Sequence, residues 1–228
     1  KKGLLLRSLK PELTRRVLWV GFPITLDRIL QNTGQILYAK AVLLYGTITY
    51  AAHQVGLAIE ALSFMPGAGF AVAAATAVGQ SLGANNIARA KIENYEANRL
   101  AVIVMAGMGI IFFFFPYLLL RAFTSDPEVI SLGSLFLKIV AVMQIPLAIT
   151  MVLSGSLKGA GDTRFLVLVT LAGMWVVRLP MAFMVAAVLH LGIAYVWGVM
   201  VLDWVTRMGV VLARYRSERW QEIRLVQE

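Results

Sequence analysis

HQVGLAIEALSFMPGAGFAVAAATAVGQSLGANNIARAK, residues 53–91, is the stretch that decides how the rest of the chain reads. It sets one carboxylate, Glu60, inside an apolar segment of helix length, follows it with Pro66, Gly67 and Gly69, and ends in a polar turn before Arg89 and Lys91. An ionisable group at bilayer depth is costly, so Glu60 is a functional candidate by position alone. The proline and glycines that follow give the same helix a place to bend.

The composition agrees with a bilayer. Of 228 residues, 59% are hydrophobic and 14% charged, with a mean hydropathy of +0.77, beyond what a soluble domain carries. The net charge of +9 comes from basic residues gathered between apolar segments and at both ends. That distribution fits anionic lipid headgroups and not a nucleic-acid stripe. With no cysteine and only His53 and His190, neither a disulfide nor a metal centre is expected. Walker A, HExxH and GxSxG patterns are absent, so no enzyme activity or cofactor is expected. The first residue is Lys1, with no signal-peptide pattern after it, which reads as part of a longer protein beginning in a loop.

Apolar segments of the ~20 residues needed to span a bilayer recur near 17–44, 48–79, 95–121, 129–156, 164–188 and 192–213. The expected fold is all-α and polytopic: a six-helix lobe over 17–213, approached by a linker at 1–16 and followed by a basic tail at 214–228. Basic residues concentrate in alternate connections, which by the positive-inside rule places both termini in the cytoplasm. Pro23, Pro66, Pro146 and Pro180 fall inside predicted spans, where each favours a kink and is a candidate for gating. Trp197, Trp204 and Trp220 are candidates for interfacial anchors.

Two polar stripes stand out. Asp27, Gln31, Gln35 and Tyr38 share a face of the first helix with Gly34, while His53, Gly56, Glu60, Ser63 and Gly67 share a face of the second. Counted back from Gly46 at ~1.5 Å per residue, Gln31 and Glu60 lie at similar depth, so one cavity lined by both stripes is expected. Arg178 and Asp203 are about equally far from the turn at His190 and can pair across antiparallel helices; Arg207, four residues after Asp203, is the alternative partner. Gly159-Ala160-Gly161-Asp162 fits the GxGD pattern of intramembrane aspartyl proteases. Flanked by Lys158 and Arg164, it reads instead as a cytoplasmic turn with Asp162 capping the next helix.

The chain resembles the multidrug and toxic compound extrusion family, specifically its C-terminal lobe. The resemblance runs through Gly21-Phe22-Pro23 with Asp27-Arg28, residues 51–84, LKGAGDTRF at 157–165, and MWVVRLPMAF at 174–183 with Asp203-Trp204. It implies two six-helix lobes across a central cleft, exporting cationic or amphiphilic organic compounds in exchange for protons or sodium. This chain would supply the last six helices, with an N-terminal lobe as its partner, in a bacterial inner membrane. Where some members carry cation-site carboxylates in this lobe, this chain has Gln31 and Leu147, a pattern closer to the damage-inducible branch. Glu60 and Asp27 remain the candidate coupling carboxylates, with Gln31, Gln35, Arg178 and Asp203 around the same cavity. The rival readings are a lipid-linked oligosaccharide flippase, whose cavity should be cationic, and a non-transporting membrane scaffold.

Overall fold

The computed structural model describes residues 11–221 and is helical throughout, without strands among the described residues. Parts of the expected linker and basic tail, 1–10 and 222–228, lie outside the described residues. The elements are α1 (Pro11–Leu43), α2 (Thr47–Gly83), α3 (Ile87–Phe114), the short α4 (Pro116–Arg121) and α5 (Pro127–Gly159). They are followed by α6 (Thr163–Val188), α7 (Ile193–Arg216) and a final 3-10 turn, Arg219–Gln221.

Five of the helices, α2, α3, α5, α6 and α7, are long and apolar enough to cross a membrane. At 33 residues α1 has the length, but Asp27, Arg28 and Lys40 and its glutamines dilute its apolar character. Helices replace loops wherever a cap is available. Asn86 accepts a hydrogen bond from Arg89 N at 3.0 Å, so α3 starts at Ile87, eight residues before the expected 95. Asp126 accepts from Glu128 N at 2.9 Å, with Pro127 opening α5. The expected single span over 95–121 is broken at Phe115, because Pro116 has no N–H to continue the ladder and starts α4 instead.

The central helix is α5, half buried along its most apolar window and packed against α2, α3 and α7. Its tightest neighbour is α2. Ala71, Ala75 and Gly79, four residues apart, face Gly155 and Gly159 of α5. A methyl at Gly155 would run into the Ala71 carbonyl and one at Gly159 into the Ala75 carbonyl, while a Cβ at Gly79 would sit 3.1 Å from Gly159 O. In lipid, where apolar surface has little drive to leave its solvent, such small-residue contact is what lets two helices pack.

The four expected proline kinks differ from one another. α1, α2 and α5 run through Pro23, Pro66 and Pro146 without interruption. Around Pro180 α6 departs from α geometry, with π-helical turns over Leu171–Arg178 and Met184–Val188. Two expected anchors are also corrected: Trp197 and Trp220 are 0% and 1% exposed. Trp197 packs edge-on against Phe136 at 5.3 Å, and Trp220 stacks on Tyr215 and donates to its carbonyl at 2.9 Å. Beside it Glu218 pairs with Lys91 of α3, whose hydrogen bond and charge hold the Glu218 carboxyl below the usual carboxylate range.

Gly155→Ala and Gly159→Ala should each lower the thermal stability of the protein in detergent by about 1–3 kcal/mol, because the added methyl meets backbone and not a flexible side chain. Gly21→Ala, which meets nothing within 4 Å, is the control. Thermal unfolding of the three variants checks this.

Candidate functional site

Packing sorts the α1 stripe. Pro23, Asp27, Gly34 and Tyr38 are buried and Gln31 half-buried, whereas Gln35 is exposed. The buried face lies against α6, and Gly34 permits this because Met174 occupies the space a Cβ would need. The Trp175 indole donates to the Leu30 carbonyl at 3.3 Å, fixing the register of the two helices. At the other end of α1, Tyr38 donates to Val196 O of α7 at 2.8 Å.

Asp27 is the middle residue of α1, 6% exposed. Its Oδ2 accepts from Gln31 Nε2 at 2.9 Å, and its Oδ1 accepts from the Thr170 hydroxyl of α6. Gln31 also reaches Thr170, at 3.4 Å. Both donors are neutral. The neighbouring Arg28 makes no ion pair with Asp27; consecutive residues on a helix point about 100° apart. Asp27 and Gln31 line a cavity of about 200 Å³ between α1, α2, α5, α6 and α7, with Phe64, Thr150, Lys158 and Trp204 among its walls.

Arg178 and Asp203 do pair, Nε to Oδ2 at 2.6 Å, with both side chains essentially buried. The alternative partner is engaged at the same time: Arg207 Nε lies 2.6 Å from Asp203 Oδ1. Asp203 is thus shared by α6 and α7. Gly173 on α6 makes room, since any side chain there would strike Asp203 and Arg207. The Arg178 guanidinium also stands 5.4 Å from the centre of the Tyr38 ring.

Glu60 is corrected. It is 8% exposed and lines neither the Asp27 cavity nor the second cleft near Gln35. Its Oε2 has no hydrogen-bond partner. α1 packs chiefly against α6, with a smaller contact to α2, so the stripes meet only in part: Gln35 and His53 share the second cleft, whereas Asp27 and Gln31 line the first without Glu60.

The GxGD segment is also rearranged. Gly159 is the last residue of α5 and Gly161, at φ +87°, makes the turn. Asp162 stands at the N-cap position of α6 but caps no backbone N–H. Its carboxylate accepts instead from Arg214 Nε of α7 at 2.6 Å, because a charged donor outbids a neutral one. Lys158, which sequence reasoning used only as flanking charge, lines the Asp27 cavity. Thr170 was missed altogether. It sits in an apolar run, and only the α1–α6 register brings it to Asp27.

A polytopic helical lobe with a buried, neutrally held carboxylate in a cavity is the architecture of a membrane transporter component. The family model MatE matches residues 23–184. The chain belongs to this multidrug and toxic compound extrusion family, whose members are transporters and not enzymes. A probable multidrug resistance protein NorM of Thermotoga maritima is 34% identical over 208 residues, covering 91% of this chain and 45% of that protein. The corresponding protein of Brucella suis is 32% identical over 200 residues, covering 84% and 42%. Neither carries a name from the damage-inducible branch. Among solved structures, a MATE transporter in complex with MaL6 superposes with a TM-score of 0.85 at 18% identity, covering 95% of this chain and 49% of its own. A MOP superfamily transporter from Pyrococcus furiosus gives 0.82 at 16%, covering 90% and 45%. The chain spans about half the length of the relatives it matches.

Asp203→Asn should leave Arg178 and Arg207 buried without a counter-charge and cost about 3–5 kcal/mol. Reduced yield and a lower unfolding midpoint in detergent are the expected readouts; an unchanged midpoint contradicts the pairing.

Proposed function

We propose that this chain is the C-terminal lobe of a secondary-active exporter that exchanges cationic or amphiphilic organic compounds for protons or sodium by alternating access. It works with an N-terminal lobe of similar size in a bacterial inner membrane, with both termini cytoplasmic. The observation that carries the reading is Asp27, a carboxylate in a membrane cavity held by Gln31 and Thr170 and by no cation in contact. A carboxylate committed to an arginine has no capacity to take up another positive charge. Asp27 has that capacity, so a proton, a sodium ion or an organic cation can each load it, and loading one expels another.

Loading also reaches α6. Thr170, which donates to Asp27, is the last residue before the π-helical turns that end at Arg178 and precede Pro180. Wide turns beside a proline are where a helix can change register at low cost. Release of Thr170 from a loaded Asp27 frees the adjoining end of α6 to move against α1. Pro23, Pro66 and Pro146 serve as secondary points of bending.

The flippase reading gains one observation. Arg28, Lys158 and Arg207 line the cavity beside a single carboxylate, although Arg207 is neutralised by Asp203. A lipid-linked pyrophosphate would need the two remaining cations and would make Asp27 dispensable.

Efflux of a fluorescent organic cation from vesicles, driven by an imposed proton or sodium gradient, tests the reading with the protein made from its full coding sequence. Asp27→Asn should lower gradient-driven efflux at least tenfold with unchanged unfolding midpoint. Glu60→Gln, outside the Asp27 cavity, should instead leave the gradient dependence of efflux intact. Full efflux by Asp27→Asn would favour the flippase reading, and loss of coupling only in Glu60→Gln would move the coupling role to Glu60.

A further inference from the structure

The lobe holds a second, larger cleft apart from the first. It lies between the ends of α1 and α2 that meet at the Gly46 turn, with a volume of about 550 Å³. Its walls combine Ile36, Leu43 and Leu57 with Gln35, Lys40, Tyr50, His53 and Gln54. Among the described residues no Asp or Glu lines it. Lys40 makes no ion pair among the described residues, so the cleft holds one uncompensated positive charge.

The polar groups are arranged and not scattered. Gln54 Nε2 donates to the Tyr50 hydroxyl at 2.5 Å, one turn apart on α2. His53 is 1% exposed, fixed edge-on between Tyr38 at 5.8 Å and Phe136 at 5.1 Å. Its Nδ1 is buried without a hydrogen-bond partner, which is a cost the fold would avoid unless something completes it. Lys40 lies six residues before Gly46, ~9 Å along the helix, at the end of the lobe where basic connections are otherwise scarce. A lysine that merely extends toward headgroups needs neither two amides nor an unfilled imidazole beside it.

We infer that this cleft binds the acid group of an anionic amphiphile, with Lys40 pairing the carboxylate or phosphate, Gln54 and Gln35 donating to its oxygens, and the apolar body lying along Ile36, Leu43 and Leu57. The acid-bearing ligand is either an exported organic acid or an anionic phospholipid. The site extends the range of compounds the lobe can hold and does not depend on Asp27.

The probe is 11-(dansylamino)undecanoic acid, with its methyl ester as the uncharged counterpart, titrated by fluorescence into the purified full-length protein in detergent. The acid should bind at least tenfold more tightly than the ester, Lys40→Gln should abolish the difference, and Gln54→Leu should weaken the acid alone. Lys40 is on the helix surface, so its variant should keep the wild-type unfolding midpoint. Asp27→Asn should leave acid binding intact, which separates this site from the coupling site. If phosphatidylglycerol nanodiscs suppress acid binding through Lys40 and phosphatidylcholine nanodiscs do not, a lipid headgroup is the occupant; if neither does, the occupant is an exported acid. Equal binding of acid and ester, or acid binding unaffected by Lys40→Gln, overturns the inference. So does absence of acid binding together with a lower midpoint for Lys40→Gln, which would assign Lys40 to a carboxylate elsewhere in the protein.

Discussion

A charge inside a membrane protein must be matched, and the Asp203 carboxylate does the matching on which this lobe depends. By pairing with Arg178 on α6 and accepting from Arg207 on α7, it ties the two helices together within their buried stretch. Its position requires Gly173, since no other residue leaves room beside α6. Gly173 lies within the π-helical turns, one turn beyond Thr170, so the clamp sets where Thr170 stands. Thr170 in turn sets the environment of Asp27. The chain of dependence runs from a buried ion cluster, through a distorted helix, to the carboxylate in the cavity.

This arrangement separates two kinds of buried acid. Asp203 pairs with two arginines and belongs to the structure, because removing it leaves cations in low dielectric. Asp27 is held by an amide and a hydroxyl, which stabilise its position without cancelling its charge. Only the second kind can exchange partners. The α2–α5 contact supplies one side of the cavity, where glycines and alanines bring the two backbones together, and α1 with α6 forms the other.

Much of this was legible in the sequence. Hydropathy and charge alternation identify the spans, and spacing alone places Asp27, Gln31 and Tyr38 on one face and pairs Arg178 with Asp203. What the sequence could not convey was which helix each face meets. Depth counting put Gln31 level with Glu60, but depth says nothing of azimuth, and α1 turns its stripe toward α6. Asp162 looked like a cap because helix starts favour aspartate, yet Arg214, 52 residues away, is the stronger partner. Trp197 and Trp220 looked like anchors because tryptophan favours interfaces, yet each fills a gap between helices. In each case a local preference yielded to a contact between residues far apart in sequence.

The most direct test of the central claim is competition at Asp27. Binding of tetraphenylphosphonium to the purified full-length protein should be measured at several proton and sodium concentrations, for the wild type and for Asp27→Asn. The account predicts that one of the two ions weakens wild-type binding competitively, and that the ion has no effect on whatever binding Asp27→Asn retains. Ion competition of equal strength in both proteins would contradict it, and would place the exchange site elsewhere in the transporter.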